Sequence, residues 1–418
     1  MRLQTINSLI SKYKTPILFS FGSIAKAIAQ MIVGFVVAKF VSPKDFGLWN
    51  TINLSLTYSL FLQAGLINGL NRELPFLFGN NKDDEAIKMA GTVQTFTLLI
   101  SILVLLFGLI YVILFSGNSD KLFYGILGMI LIIVLNFYQN YLFSTFRSRD
   151  SFFKLSILQF VHAFVNLSTL ILVFYYAYYG LVLKTIIVSF VYVLLMHIYR
   201  PIKVKLLWDK KSFIKLISVG LPIFGLAYIE SIASTTDKLL LLKYSNLEEL
   251  GIYSFAFYIF SSFSILPSSI ANYIYPKMTY NYSKTNDKLI IWEYVKKITK
   301  LLLMILIPIA IIGYFICPYL IESLFPKYVK SIPIMQILIF ASVFNGAVIG
   351  VNALWSMKIW KYMIIYQTLF GFLLFICPFI GFNLFNNKII GISFGVLVSH
   401  LINLLSGIYI TYLATHKN

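Results

Sequence analysis

Residues 89–116 read MAGTVQTFTLLISILVLLFGLIYVILFS, without one charged side chain. A helix needs about 20 mostly apolar residues to cross hydrocarbon, so this stretch is long enough to span a bilayer. Working outward from it, the same window finds eleven more spans: 15–41, 46–71, 121–146, 152–179, 181–199, 214–242, 250–275, 297–321, 331–355, 362–384 and 389–413. The chain of 418 residues is 59% hydrophobic and 12% charged. Soluble domains lie near half apolar and a quarter charged, which excludes a water-soluble enzyme, and disorder requires low hydrophobicity. The expected fold is all-α and polytopic, with about twelve transmembrane helices.

The charges orient these spans. Of the 34 Lys and Arg residues, 24 fall on the connections that share a side with both termini and eight on the opposite connections. The positive-inside rule then places both termini in the cytoplasm, together with the two longest connections, 200–215 and 276–297. The net charge of +19 needs no nucleic acid to explain it, because no basic run is interleaved with aromatics on a polar segment. The first span stays apolar through Val41, beyond the 7–15 residues of a signal-peptide core. Residues 1–14 read as a short interfacial helix. Cys317 and Cys377 make no metal spacing and read as buried thiols; His162, His197 and His400 read as buried, satisfied histidines. No nucleophile–base pair, phosphate-binding loop, carboxylate dyad or metal set is present, so neither catalysis nor a cofactor is expected.

Sliding the chain on itself by 204 residues places Phe46-Gly47-Leu48-Trp49 on Leu250-Gly251-Ile252-Tyr253. The same offset aligns Lys39 with Lys243 and Asn68 with Asn272. In both places a span crosses, turns and returns, so the chain reads as two lobes of six spans, residues 1–205 and 206–418.

A charge near mid-membrane costs about 2.5–3.5 kcal/mol on insertion scales and requires a reason. Lys26 lies near the middle of span 1, with Gln30 one turn on. Glu230 lies near the middle of span 7, and Asp237 follows at i+7 beside Lys238. These charges either pair to hold helices together or face a polar cavity. Lys238, Lys184 and Lys39 lie toward span ends and read as cations that pair to hold helices together or snorkel to an interface. Arg72, closing Asn68-Gly69-Leu70-Asn71-Arg72, is either an inside anchor or a lining of the inner mouth. Asn136, Gln139, Asn140, Asn166, Asn272 and Gln367 read singly as helix–helix glue. Ser231, Ser234, Thr235 and Thr236 give span 7 a polar side.

Several of these motifs resemble one family. Gly220-Leu221-Pro222, Thr236-Asp237-Lys238, Glu249-Leu250-Gly251-Ile252-Tyr253 and Tyr275-Pro276-Lys277-Met278 in the second half are similar to the Wzx-type O-antigen flippases. These belong to the polysaccharide branch of the multidrug/oligosaccharidyl-lipid/polysaccharide (MOP) superfamily. Phe40-Val41-Ser42-Pro43 and Gly65-Leu66-Ile67-Asn68-Gly69 fit the same pattern.

The resemblance implies a MATE-like pair of lobes around a central cavity. It implies translocation of undecaprenyl-pyrophosphate-linked oligosaccharide across the bacterial inner membrane by alternating access. H⁺ or Na⁺ would be the coupling ion, and a polysaccharide polymerase and chain-length regulator candidate partners, alongside membrane lipids. Asp237-Lys238 matches the family's acidic–basic pair. Position adds Lys26 and Arg72 to Lys238 as head-group contacts, and Glu230 to Asp237 as ion-coupling carboxylates. Two other functions compete: a drug/cation antiporter, which would want an acidic aromatic cavity, and a membrane polymerase or glycosyltransferase, which would want a long outer loop.

Overall fold

The computed structural model describes the backbone of residues 2–115, 117, 119–285 and 287–416. Side chains are described from residue 21 onward, except at 115, 266, 268, 269, 271–273, 276, 277, 280, 283 and 351. The side chains of residues 1–14, Asn272 and Lys277 therefore lie outside the described residues, whereas the backbone of residues 2–14 is helical and runs on into the first expected span.

All regular structure among the described residues is helical. The first half contains α1 (Arg2–Phe40), α2 (Pro43–Ser59), α3 (Leu66–Gly79), α4 (Asp83–Phe115), α5 (Asp120–Ser148), α6 (Phe152–Ser168) and α7 (Leu170–Ile198). The second contains α8 (Lys210–Ala233), α9 (Thr236–Tyr244), α10 (Leu247–Phe263), α11 (Ile265–Thr285), α12 (Lys288–Leu324), α13 (Ile332–Ala347), α14 (Gly350–Met357), α15 (Trp360–Leu384) and α16 (Lys388–His416). Short 3-10 turns cover Leu60–Gln63 and Pro326–Ser331.

Nine helical stretches among the described residues are long and apolar enough to cross a membrane. Expected spans 2, 5 and 8 are not among them, and each is divided between two helices. On α4, Phe107 is 68% and Ile113 74% exposed. An apolar helix that leaves such side chains uncovered is stable only where its surroundings are themselves apolar, which makes this a multi-pass membrane protein.

The breaks have local causes. Span 2 stops where Ser55 and Ser59 hydroxyls donate back to the Ile52 and Leu56 carbonyls, and Ala64 and Gly65 then take left-handed backbone. Gln63 braces that break by donating to the Phe137 carbonyl at 3.4 Å and accepting from Asn140. Span 7 is interrupted in the same way: Ser231, Ser234 and Thr235 bond to carbonyls three or four residues back, a habit that competes with the helical ladder. Glu230 and Asp237 consequently sit on different helices, and their i+7 spacing alone does not align them.

Spans 5 and 6 turn inside α7. Ala177 has φ 45° and ψ −112°, and a Cβ on Gly180 would meet the backbone of Leu172 and Val173. Residues eight apart in one helix stand about 12 Å apart, so the chain has reversed here. A non-glycine residue at such a φ stores about 1–3 kcal/mol. Ala177→Gly should therefore raise stability by about 1 kcal/mol after the entropy cost of glycine, as thermal unfolding of purified protein would measure.

The chain forms two compact units, residues 1–41 with 52–225, and residues 42–51 with 226–418. In the first, Leu70 and Leu74 of α3 pack with Met89 and Val93 of α4, Phe146 of α5, Met196 of α7 and Leu216 of α8. Gly65 and Gly69 let α3 lie backbone to backbone on α8: a Cβ on Gly65 would stand 2.7 Å from the Gly220 oxygen. This is small-residue packing of the kind that membranes favour, and Lys215–Glu73 closes it with a 2.9 Å ion pair.

The segment after α7 runs extended beside α4, with Leu207 N on Thr95 Oγ1 at 3.0 Å and Asp209 N on Thr92 Oγ1 at 3.2 Å. Asp209 then caps α8 by accepting from Ser212 N. The Ser212 hydroxyl and amide hold this exposed carboxyl below the ordinary aspartate range. The cap is thus intact at neutral pH and is lost only as pH falls through that lowered value.

In the second unit α15 and α16 pack through Gly381, Gly391 and Gly395, where an added Cβ would strike the facing backbone. Cys377 is buried as read from sequence, whereas Cys317 is only half-buried.

Candidate functional site

Within the first unit, α1 packs along α6. Gly22 permits the approach, since a Cβ there would stand 2.8 Å from Gln159 Oε1. Both helices carry polar residues at the same i, i+3, i+7 spacing: Ser23, Lys26 and Gln30 on α1, and Gln159, His162 and Asn166 on α6. That spacing keeps each set on one face. Ser23 Oγ donates to Gln159 Oε1 at 3.3 Å, and Asn166 Nδ2 donates to Gln30 Oε1 at 3.1 Å. Lys184, from the second segment of α7, donates to Asn166 Oδ1. Lys26 Nζ lies 4.8 Å from the centroid of the Tyr192 ring, and the His162 ring meets the same tyrosine edge-on at 4.8 Å.

The structure decides between the two readings of Lys184 and overturns that of His162. Lys184 does not snorkel: it is 3% exposed and hydrogen-bonded inside the unit. His162 is not satisfied, because its buried Nδ1 has no partner among the described residues. No carboxylate among the described residues lies within ion-pair distance of Lys26 or Lys184. Lys184, buried, and Lys26, half-buried, lie among amides and aromatic rings without an acid, which leaves the seam cationic and short of a counter-charge. The matched spacing on spans 1 and 5 was the available sequence signal, visible only when the two helices are compared. Arg72 takes no part; it is exposed on α3 beside the Glu73–Lys215 pair.

In the second unit, Glu230 accepts from Gln367 Nε2 of α15. Gly371, one turn on, lets α15 approach, a Cβ there standing 3.1 Å from Ile229. Nearby in that unit, His400 lies between the Phe260 and Phe370 rings, and its Nδ1 is buried without a partner among the described residues.

Asp237 and Lys238 form a separate, closed group. Asp237 accepts from Tyr253 OH at 2.6 Å and from Lys238 N at 2.8 Å. Lys238 Nζ stands 3.4 Å from the same carboxylate and 3.9 Å from the Phe257 ring centroid. Tyr253→Phe removes one charge-assisted bond from a buried carboxylate, so a loss of about 1.5–3 kcal/mol in unfolding free energy is expected.

Residues 36–333 match a family described as polysaccharide biosynthesis protein. The chain belongs to that family. Its fold is that of the MOP superfamily transporters. The lipid II flippase MurJ in an inward closed conformation aligns with a TM-score of 0.71 at 17% identity, over 94% of this chain and 87% of that one. An inward-facing multidrug resistance MATE transporter of the MOP superfamily aligns at 0.69 and 12% identity, over 96% and 100%. A mutant of the Vibrio cholerae MATE transporter VcmN aligns at 0.62 and 15%, over 99% of each chain. The resemblance read from the motifs of both halves agrees with the family match and with this fold. No curated protein matched the chain.

Proposed function

We propose that the protein is a flippase that carries undecaprenyl-pyrophosphate-linked oligosaccharide, such as an O-antigen repeat unit, across the bacterial inner membrane, with both termini cytoplasmic. The observation that carries this reading is the acid-free lysine seam of Lys26 and Lys184. A pyrophosphate cannot enter hydrocarbon unaided, and the ammonium groups of this seam supply the opposite charge and strong donors. Asn166 and Gln30 add neutral donors for the phosphate oxygens. A drug-cation antiporter would place a carboxylate here, which makes it the weaker reading.

Lys26 remains the leading head-group contact, now with Lys184. Lys238 is the weaker candidate, since Asp237 and Phe257 already engage its charge; Arg72, exposed on α3, is the candidate for a first contact at the entry. Glu230 is the candidate coupling carboxylate for H⁺ or Na⁺, supported by the unpartnered His400 nitrogen in the same unit. The tightly bonded Asp237 fits a supporting role better. The functional lobes are residues 1–205 and 206–418, a division supported by the 204-residue repeat.

Reconstitution tests the proposal. Proteoliposomes loaded with a fluorescent undecaprenyl-pyrophosphoryl oligosaccharide should move it between leaflets, as read by an impermeant quencher. Lys26→Ala should slow that movement about 10- to 100-fold, the equivalent of losing one charged hydrogen bond. Absence of movement by the wild-type protein, together with uptake of a lipophilic cation, would favour the antiporter instead.

A further inference from the structure

Three turns of the second unit converge at one end: the α9–α10 turn at Ser245 and Asn246, the 3-10 turn Pro326–Ser331, and the α15–α16 turn at 385–387. Between them lies a cavity of about 650 Å³. It opens at the start of α16, roughly 40 Å of helix away from that helix's C-terminal end, so it faces the side opposite the C-terminus.

The lining divides by what it already does. Asn246 and Asn387 cap helices, accepting from Glu249 N and Ile390 N, and Glu249 holds the Ser245 hydroxyl. Glu248, Asn386 and Lys330 line the same cavity as exposed side chains, open to solvent and to a ligand, with no side-chain hydrogen bond to another described residue. Tyr244 and Phe382 lie with ring centroids 4.9 Å apart at 34°, Tyr244 is 54% exposed, and Lys388 Nζ stands 5.0 Å from the Phe382 centroid.

Aromatic residues at a span end ordinarily anchor in the head-group layer. These two instead border a hollow that also holds an acid, an amide and an ammonium group with capacity to spare. A wholly apolar ligand would leave those groups desolvated and unpaired, and a phosphate would meet Glu248. A sugar ring suits the set: its C–H face covers an aromatic ring while its hydroxyls both donate and accept. The volume lies within the ~300–1,000 Å³ of small-ligand sites, enough for a short oligosaccharide.

We propose that this cavity, built on Tyr244, Phe382, Glu248, Asn386 and Lys330, is a carbohydrate-binding subsite that receives the neutral or N-acetylated sugars of the translocated molecule. It rests on the flippase reading, and it is separate from the lysine seam.

The purified full-length protein, labelled and applied to an array of neutral, N-acetylated and acidic oligosaccharides, tests it. Retention of at least one neutral or N-acetylated glycan is expected. Tyr244→Ala and Phe382→Ala should each weaken that retention at least tenfold, the near-isosteric Glu248→Gln severalfold, and Lys154→Ala, at an exposed position of α6, not at all. Thermal unfolding of each variant verifies that it is folded. The subsite is overturned if no glycan is retained, or if retention is indifferent to Tyr244→Ala, Phe382→Ala and Glu248→Gln in folded protein. The leaflet-exchange assay keeps the two ideas apart. Intact exchange without glycan retention refutes only the subsite, whereas failed exchange refutes the flippase reading.

Discussion

Replacing Lys184 with methionine is expected to make the protein more stable and nearly inactive. Lys184 is 3% exposed as a residue, and its ammonium group is bonded to Asn166 without an acid in reach among the described residues. Insertion of such a charge costs about 2.5–3.5 kcal/mol, only part of which one amide returns. Methionine keeps the length of the side chain and removes the charge, so a gain of about 1–2 kcal/mol is expected, less the bond lost by Asn166. Leaflet exchange should fall about 10- to 100-fold by loss of a charged donor to the pyrophosphate. The double change Lys26→Ala with Lys184→Met should leave no measurable exchange. Opposite signs for stability and activity mark a side chain retained for function against the interest of the fold. Thermal unfolding and proteoliposome exchange on the same preparation measure both. A Lys184→Met protein that unfolds more easily yet exchanges at the wild-type rate would show the lysine to be a structural element only.

The helices were legible in the sequence because a bilayer imposes length and apolarity on every crossing. All twelve expected spans fall on helices, several of them interrupted, but α1, α11 and α12 run 13, 10 and 9 residues past the expected bounds. The interruptions were harder to read. Whether Ser231, Ser234 and Thr235 turn their hydroxyls back onto the ladder depends on what neighbouring helices offer, which spacing within one span does not reveal. The choice between the two readings of Lys184 was hidden for a related reason: distance from a span end says how far a lysine could snorkel, but not that Asn166 waits beside it. The polar seam was written across two spans 136 residues apart, as the Ser23–Gln159 and Gln30–Asn166 pairs are. Only the packing of α1 on α6 joins its halves.

Gly47 and Gly251 make the sharpest test of the repeat. They were aligned by the 204-residue offset, and in the second unit they touch each other. A Cβ on Gly47 would fall on the Leu247 carbonyl and within 2.9 Å of Gly251 N; one on Gly251 would fall on the Pro43 carbonyl and 3.0 Å from Gly47 N. Positions 43 and 247 are again 204 apart, so the contact is reciprocal in the way an isologous interface is. What stands in the way is backbone, which cannot swing aside as a side chain can. Gly47→Ala and Gly251→Ala should therefore each cost about 1–3 kcal/mol by overpacking, and by closely similar amounts. The double variant should cost less than the sum by about 1 kcal/mol, because helices pushed apart by one methyl have made room for the other. Gly225→Ala is the control: nothing lies within 4 Å of its added Cβ, so replacing a mid-helix glycine there should gain up to about 1 kcal/mol. Denaturant unfolding in detergent measures all four. Strictly additive losses, or losses that differ severalfold between Gly47 and Gly251, would mean that the two segments meet by separate contacts rather than through the symmetry of a duplicated half.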